Sequence, residues 1–183
     1  MATAYGIVEL LSVAAKNVDS YNHTFKSDAD DIENGSIFTM GDLVTKDGNE
    51  IYKAVKPVTA NLAKATYMAA SPIRVITELA DGSQFVDLTM NPKAFINKAG
   101  QPIDGILLRQ GDKVRLSKEA VGGSKGSNKF IVATNGQYKL QWAAAAAEGG
   151  ALSMALVNDK VYFSIPTGGI GTQRTEAYDF IVL

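Results

Sequence analysis

The feature that most restricts the fold is the close spacing of turn-forming dipeptides along the chain. They separate runs of four to six residues that are rich in valine, isoleucine, tyrosine and phenylalanine. Such dipeptides tolerate the positive φ that tight hairpin turns require, and the intervening runs have the length of strands. We therefore predict antiparallel hairpins in a mainly β, barrel-like or sandwich-like domain. The dipeptides are Asp47-Gly48, Asp81-Gly82, Asp104-Gly105, Gly111-Asp112, Asn135-Gly136 and Asn158-Asp159.

Two segments carry further strand signals. Residues 113–117 alternate polar and apolar side chains, which places Val114 and Leu116 on one face of a sheet that is buried on one side. The chain closes on the apolar run 180–183, and we expect this run to be paired or covered.

Helical content is predicted to be one or two short helices. Asn91 is placed to cap a helix over residues 93–99, with Pro92 at its first position and Gly100 at its end. Residues 27–34 are the second candidate. Residues 143–147 and 6–16 fit either a helix or a strand.

Composition fits a globular protein that is stabilised by packing alone. The 183 residues are 46% hydrophobic and 20% charged, which suits one domain with a sizeable core. The absence of cysteine excludes disulfides, thiolate metal sites and cysteine nucleophiles. Glu9 interrupts the first apolar stretch, which does not fit a secretory signal, and no apolar run approaches the length of a membrane span. We therefore expect synthesis in the cytoplasm.

Charge is balanced overall but uneven along the chain. The net charge of −1 gives no general attraction to nucleic acid or to a membrane. Residues 28–50 carry seven acids against one lysine, and residues 109–129 carry six bases against two acids. These stretches could meet between copies of the chain; the reading we favour is two solvated loops.

Motifs for catalysis or cofactor binding do not emerge. His23 is the sole histidine, and no nucleophile motif surrounds it. The acids of residues 28–33 lack calcium-loop spacing, and the glycine-rich stretches 122–127 and 168–171 match neither a phosphate loop nor a dinucleotide fingerprint. We predict no catalytic, cofactor-binding or metal-binding residues. An enzyme, for example a small hydrolase, stays the minor alternative.

A resemblance adds to this interpretation. Its segments, in order, are Ile32-Glu33-Asn34-Gly35-Ser36-Ile37-Phe38, Gly41-Asp42, Glu50-Ile51-Tyr52-Lys53-Ala54-Val55, Ala70-Ser71-Pro72-Ile73-Arg74, Phe95-Ile96-Asn97-Lys98-Ala99-Gly100 and Leu107-Leu108-Arg109-Gln110-Gly111-Asp112-Lys113-Val114. Through their order and spacing, residues 31–117 resemble a family of small decoration (cement) proteins from the capsids of tailed phages, especially phages of Gram-positive hosts.

The resemblance implies a β-rich structural protein on the outside of a virion. Its partners would be the major capsid protein and further copies of itself, and it would have no active site. We divide the chain into an N-terminal segment 1–30, which could contact the capsid, and a decoration domain 31–183, with a subdivision near residues 120–128 left open. Candidate capsid contacts are Tyr5, Tyr21, Phe25 and Lys125. The alternative is another virion module, such as a head-fibre base or tail protein, or a carbohydrate-binding domain.

Overall fold

The fold is mainly β, as predicted. The computed structural model describes residues 4–44, 50–73, 76–78, 84–86, 91–166 and 171–183. The strands are β1 (Val8–Ser12), β2 (Asn22–Lys26), β3 (Ile37–Leu43), β4 (Ile51–Val55), β5 (Thr66–Ala69), β6 (Ile76–Glu78), β7 (Gln84–Val86), β8 (Pro102–Leu107), β9 (Lys113–Ser117), β10 (Phe130–Val132), β11 (Gln141–Ala143), β12 (Ser153–Pro166) and β13 (Thr172–Val182). Helical structure in the described residues consists of 3-10 turns at Ala14–Asn17, Asp19–Tyr21, Pro92–Ala94 and Lys118–Ala120.

Six strands form one antiparallel sheet in the order β1-β9-β13-β12-β10-β11. The alternation of residues 113–117 is confirmed, because Val114 and Leu116 are fully buried in β9. The apolar C-terminal run ends β13, which pairs with β12 on one side and with β9 on the other. This pairing buries Phe180 and Val182, whereas Leu183 follows the strand and is 49% exposed.

Five other strands close into a barrel in the order β2-β4-β3-β5-β8. All of its pairings are antiparallel except that of β2 with β4. Phe25, Phe38 and Tyr67 fill its interior, with ring centroids 4.7 and 4.8 Å from that of Phe25. Gly105 in β8 lets the backbone approach these rings closely, since a Cβ atom there would lie 2.4 Å from the Phe25 ring.

The barrel and the sheet share a hydrophobic core. Ile37 and Met68 from the barrel belong to the same buried cluster as Val114 and Phe180 from the sheet. Trp142 packs on this cluster, with its ring 5.6 Å from that of Phe180. Because one buried cluster contains side chains from both, the barrel and the six-stranded sheet are packed against each other rather than joined by a linker.

The N-terminal segment is part of this body. β1 pairs with β9 in the sheet, and β2 pairs with β4 and β8 in the barrel. The buried carboxylate of Asp112 accepts hydrogen bonds from the backbone N–H groups of Ala14 (2.9 Å) and Arg109 (2.8 Å). Residues 4–30 therefore contribute strands to both sheets, and residues 120–128 connect two strands of one sheet.

Four predicted turns lie in the described residues, and their outcomes differ. Asn135-Gly136 forms the expected turn, with φ +73° at Gly136, and the strands on either side pair as β10 and β11. Asp104-Gly105 lies inside β8, because the close approach to Phe25 demands a glycine within a strand. The predicted turn at Asn158-Asp159 is also wrong: the residues lie within β12, where the register shifts between Leu156 and Val161.

Three predicted turns remain. Gly111 adopts φ +90° in a turn between β8 and β9, as predicted. Asp47-Gly48 and Asp81-Gly82 lie outside the described residues.

The helix predictions were only partly right. The Asn91 side chain accepts a hydrogen bond from Lys93 N and caps the turn that Pro92 begins, but Phe95 is already extended. Residues 27–34 contain no helix, since Ile32 forms a β-bridge with Asn97. Of the ambiguous segments, residues 6–16 divide between β1 and a 3-10 turn, and residues 143–147 contribute one residue to β11.

Candidate protein-binding surface

The longest strands form a hairpin that extends beyond the rest of the sheet. β12 has 14 residues and β13 has 11, whereas strands usually have five or six. β10 pairs with β12 only at Ser153–Ala155, and β9 pairs with β13 only at Ala177–Ile181. Residues 161–166 and 172–176 therefore pair with each other and with no further strand that the structure describes. We call these two segments the ribbon.

The two faces of the ribbon differ sharply. Val161, Phe163 and Ile165 alternate along one face, where Ile165 and the cross-strand residue Thr175 are buried. Tyr162 and its register partner Glu176 lie on the opposite face, and both are exposed. This alternation has a period of two, which is the sequence pattern of a half-buried strand.

The ribbon and the bulge that precedes it in β12 carry the two most exposed large apolar side chains of the described residues. Tyr162 is 55% exposed, and Val157, in the bulge of the same strand, is 58% exposed. Arg174, opposite Ser164, lies on the face of Tyr162 and is also exposed. We call Val157, Tyr162, Ser164, Arg174 and Glu176 the ribbon surface.

Ion pairs fix the base of this surface. Lys118 Nζ lies 3.2 Å from Glu176 Oε2, and the Tyr178 hydroxyl donates a 2.8 Å hydrogen bond to Glu176 Oε1. The hydrogen bond from Tyr178, and to a smaller extent that from Lys118, lowers the pKa of Glu176. Burial, followed by the hydrogen bond to Glu176, raises the pKa of Tyr178. The glutamate is therefore an anion held in place, and the tyrosine is its neutral donor.

Lys125, a predicted contact residue, lies beside the ribbon surface. Its ammonium group is 2.6 Å from Asp159 Oδ2 and 5.7 Å from the centroid of the Tyr178 ring. The hydrogen bond from Lys125 lowers the pKa of Asp159. The glycine-rich loop of residues 122–128 is thus attached to the bulge of β12.

The other predicted contact residues lie elsewhere. Tyr5 is half-buried, and its backbone N–H donates to Lys93 O at 3.0 Å. Tyr21 is half-buried under the Arg109 guanidinium, whose carbon is 4.1 Å from the ring centroid. Phe25 was expected at the surface; this expectation is wrong, because its side chain is fully buried in the barrel. No contact in the described structure joins any two of the four residues.

The acidic stretch is satisfied within the chain over residues 28–33. Its four acids pair with lysines from three different segments at 2.7–3.1 Å, which explains why residues so rich in like charge fold as one loop. The pairs are Asp28–Lys53, Asp30–Lys56, Asp31–Lys98 and Glu33–Lys139. None of these lysines belongs to the basic stretch 109–129.

His23 belongs to an aromatic cluster near one end of the barrel. Its ring meets those of Tyr52 and Tyr67 edge to face, at 5.5 and 5.8 Å between centroids. The Tyr52 hydroxyl donates a 2.6 Å hydrogen bond to Glu50. In the residues described, no group of three or more histidine or acidic side chains is arranged to hold a metal ion.

An open groove of about 400 Å³ lies beside the alanine run. Its walls combine small apolar residues with polar ones such as Thr66 and Gln110, and Lys64 contributes the one ionisable side chain among the described residues that line it. Ala147, Leu152, Val182 and Leu183 form part of those walls. Within the described part of the chain, no helix has the length and apolar character needed to cross a bilayer.

Comparison with known proteins adds no relative: the chain matches no protein-family model, no curated protein and no solved structure. The function is therefore argued from the sequence and from the surfaces just described.

Proposed function

We propose that this chain is a structural virion protein that binds the outside of a mature tailed-phage capsid and stabilises the shell. Two independent considerations support the proposal: the resemblance of residues 31–117 to capsid decoration proteins, and the ribbon surface. The observation that carries it is the exposed face of the ribbon, on which Tyr162 stands 55% exposed beside Arg174.

The composition of this surface suits contact with another protein. Tyrosine and arginine are enriched where binding energy concentrates in protein interfaces, because both combine a large contact area with hydrogen-bond donors. A lone exposed tyrosine would need no explanation. Here Tyr162 and Val157 share one strand, and that strand extends beyond its sheet.

The surface is also preorganised. Lys125 joins the neighbouring loop to Asp159, and Lys118 and Tyr178 hold Glu176. Side chains that are already fixed lose less conformational entropy on binding, so more of the contact energy appears as affinity. The buried side of the ribbon, with Ile165 and Thr175, gives this arrangement a rigid support.

Stabilisation of the shell would follow from linkage. A protein that binds the mature shell but not its dissociated subunits stabilises the shell by RT ln(1 + [L]/Kd) at each site. A lattice repeats the site many times, so a modest affinity at one position adds up over the particle.

Co-sedimentation with expanded shells, assembled from the major capsid protein of the same virus, tests the proposal. The wild-type chain should pellet with the shells and saturate. Tyr162→Ala should weaken binding by about tenfold or more, as expected for a central interface aromatic. Leu43→Ala is the matched control, because Leu43 is an apolar residue of the barrel that is 45% exposed. A wild-type chain that stays in the supernatant at saturating shell concentration refutes the proposal.

A carbohydrate-binding module is the second candidate, and the aromatic cluster around His23 is the place where it would bind a sugar. Sugar binding by stacking uses an accessible ring face, whereas His23, Tyr52 and Tyr67 meet edge to face at 81° and 68°. Tyr67 is also buried. A glycan array separates the candidates: a bound glycan whose signal is lost in Tyr52→Ala, but kept in Tyr162→Ala, favours the sugar-binding module.

A further inference from the structure

We propose that the outer edge of β12 receives an extended, acidic segment of the shell protein as an additional strand. This inference rests on the proposed function and identifies the chemistry of the partner at the ribbon. Strand addition uses backbone hydrogen bonds for affinity and side chains on alternate positions for specificity.

The edge is available over six residues. The last backbone bond on the outer side of β12 runs from Leu156 N to Lys129 O at 2.8 Å. From Val161 to Pro166, β12 keeps a regular register with β13, and no strand in the described residues covers its other side. Pro166 fits this position, since proline within a sheet is confined to edges, strand ends and bulges.

The edge also has the protection that natural proteins give to exposed strands. A register shift precedes it between Asn158 and Val161, and charged Asp159 and Lys160 lie within that shift. Bulges and charges of this kind prevent indiscriminate pairing between exposed edges. They leave a short regular stretch open to a partner whose charges fit.

Charge identifies that partner. Four cations lie in or beside β12 and β13: Lys118 and Lys125 contact the carboxylates Glu176 and Asp159, and Lys160 and Arg174 are exposed. Both carboxylates are already paired, with Lys125 and Lys118. Lys160 and Arg174 have no ion pair within the described structure, so the positive charge left over attracts an acidic segment and repels a basic one.

Tyr162 provides the anchor between these two cations. It is the second residue of the free edge and projects from the exposed face. A strand that pairs with β12 would place its own side chains of one face directly beside Tyr162, within cross-strand contact distance. One surface therefore combines an open edge, an aromatic anchor and excess positive charge.

Hydrogen exchange resolved to single amides tests the edge pairing, with the full chain bound to the expanded shells. Outward-pointing amides on an edge strand are open to water, and strand addition protects them. We expect protection to be gained at alternate residues between Val161 and Pro166. Binding without this alternating protection overturns the strand addition.

Charge reversal tests the acidic partner. Lys160→Glu with Arg174→Glu should weaken shell binding by at least tenfold at low salt, with a smaller loss at high salt. The control, Lys64→Glu with Lys113→Glu, makes the same change in net charge away from the ribbon and should change binding less than twofold. Unfolding midpoints equal to wild type show that both variants are folded.

The outcomes separate the two proposals. If the wild-type chain binds the shells but the ribbon reversal binds as tightly as its control, the acidic partner is refuted and the decoration function stands. If the wild-type chain does not bind the shells at all, the decoration function fails, and this inference fails with it.

Discussion

The barrel interior gives the most specific test of the fold, through a single methyl group. In Gly105→Ala, the new Cβ would lie 2.4 Å from the Cδ2 and Cε2 atoms of Phe25 and 3.0 Å from Cζ of Phe38. Carbon atoms in contact normally stand about 3.5–4.0 Å apart. The Phe25 ring cannot move aside easily, because it is fully buried between Phe38 and Tyr67.

The magnitude follows from overpacking. Forcing an extra carbon into a packed core costs about 1–3 kcal/mol, and the lost flexibility of the unfolded chain offsets about 0.4–1 kcal/mol of this. The 2.4 Å contact is with a locked ring, so we expect Gly105→Ala to lower the free energy of unfolding by about 2 kcal/mol. For a chain of this size, that corresponds to a decrease in Tm of about 4–8 °C.

Gly41→Ala is the matched control. Gly41 lies in β3 of the same barrel, and its Cβ would lie 2.5 Å from Cγ2 of Val55. Val55 is 36% exposed and can turn toward solvent, and the two remaining contacts, 3.1 Å to Cβ and 3.2 Å to O of Lys53, require only a small shift, so this variant should stay within about 1 kcal/mol of wild type. Urea denaturation followed by circular dichroism measures both.

A second substitution identifies the cause. If the Phe25 ring is the obstacle, Phe25→Leu should remove most of the additional cost of Gly105→Ala, which gives a coupling energy in a double-mutant cycle. Equal stability of the two glycine variants, or additive effects in the cycle, would refute the packing described for the barrel.

Two further predictions concern ion pairs. The Lys98 ammonium, and then the backbone N–H of Ala99, lower the pKa of Asp31. The stabilising contribution of Asp31 is therefore present above the ordinary carboxyl pKa of about 4 and is lost as pH falls through the lower folded value. Urea midpoints from pH 6 to 2.5 should fall less steeply in Asp31→Asn than in wild type, and an identical slope contradicts this. Arg115 holds Asp179 through two bonds of 2.7 and 3.1 Å, and Arg115→Ala should cost about 1–3 kcal/mol because it leaves a half-buried carboxylate unpaired. Lys98→Ala, at an exposed pair, should cost less than about 1 kcal/mol in the same urea titration, and equal losses would show that burial does not matter at Arg115.

Local patterns in the sequence predicted the elements whose structure is determined locally. The alternation around Val114 places β9 correctly, and the turn at Gly136 forms because glycine readily adopts positive φ. Asn91 caps its turn through its own side chain. Each of these depends on residues within a few positions of one another.

Features that depend on distant contacts were not predictable in this way. Gly105 stands next to an aspartate and reads as a turn, but the need for a glycine there comes from Phe25, 80 positions earlier. Phe25 itself lies in a polar stretch that reads as surface, and only the pairing of β2 with β4 and β8 buries it. The acids around Asp31 fold without a helix because lysines from other segments neutralise them.

The candidate surface was only partly visible in the sequence. Lys125 was predicted as a capsid contact, which stays a prediction, and its ion pair with Asp159 places it beside the ribbon. Tyr162 and Arg174 were missed, although the alternation from Val161 to Ile165 indicates a strand with one exposed face. The sequence could not predict how far β12 and β13 extend past their neighbouring strands, because that distance depends on where β9 and β10 end.

The proposed function requires the chain to be a component of the virion. Quantitative mass spectrometry of purified, infectious virions tests it most directly, by counting copies of the chain against copies of the major capsid protein. The account predicts that the chain is present at a fixed ratio set by the lattice, the same in every preparation and after removal of loosely bound protein by repeated sedimentation. Absence from the particles, or a ratio that falls with each wash toward zero, would contradict it.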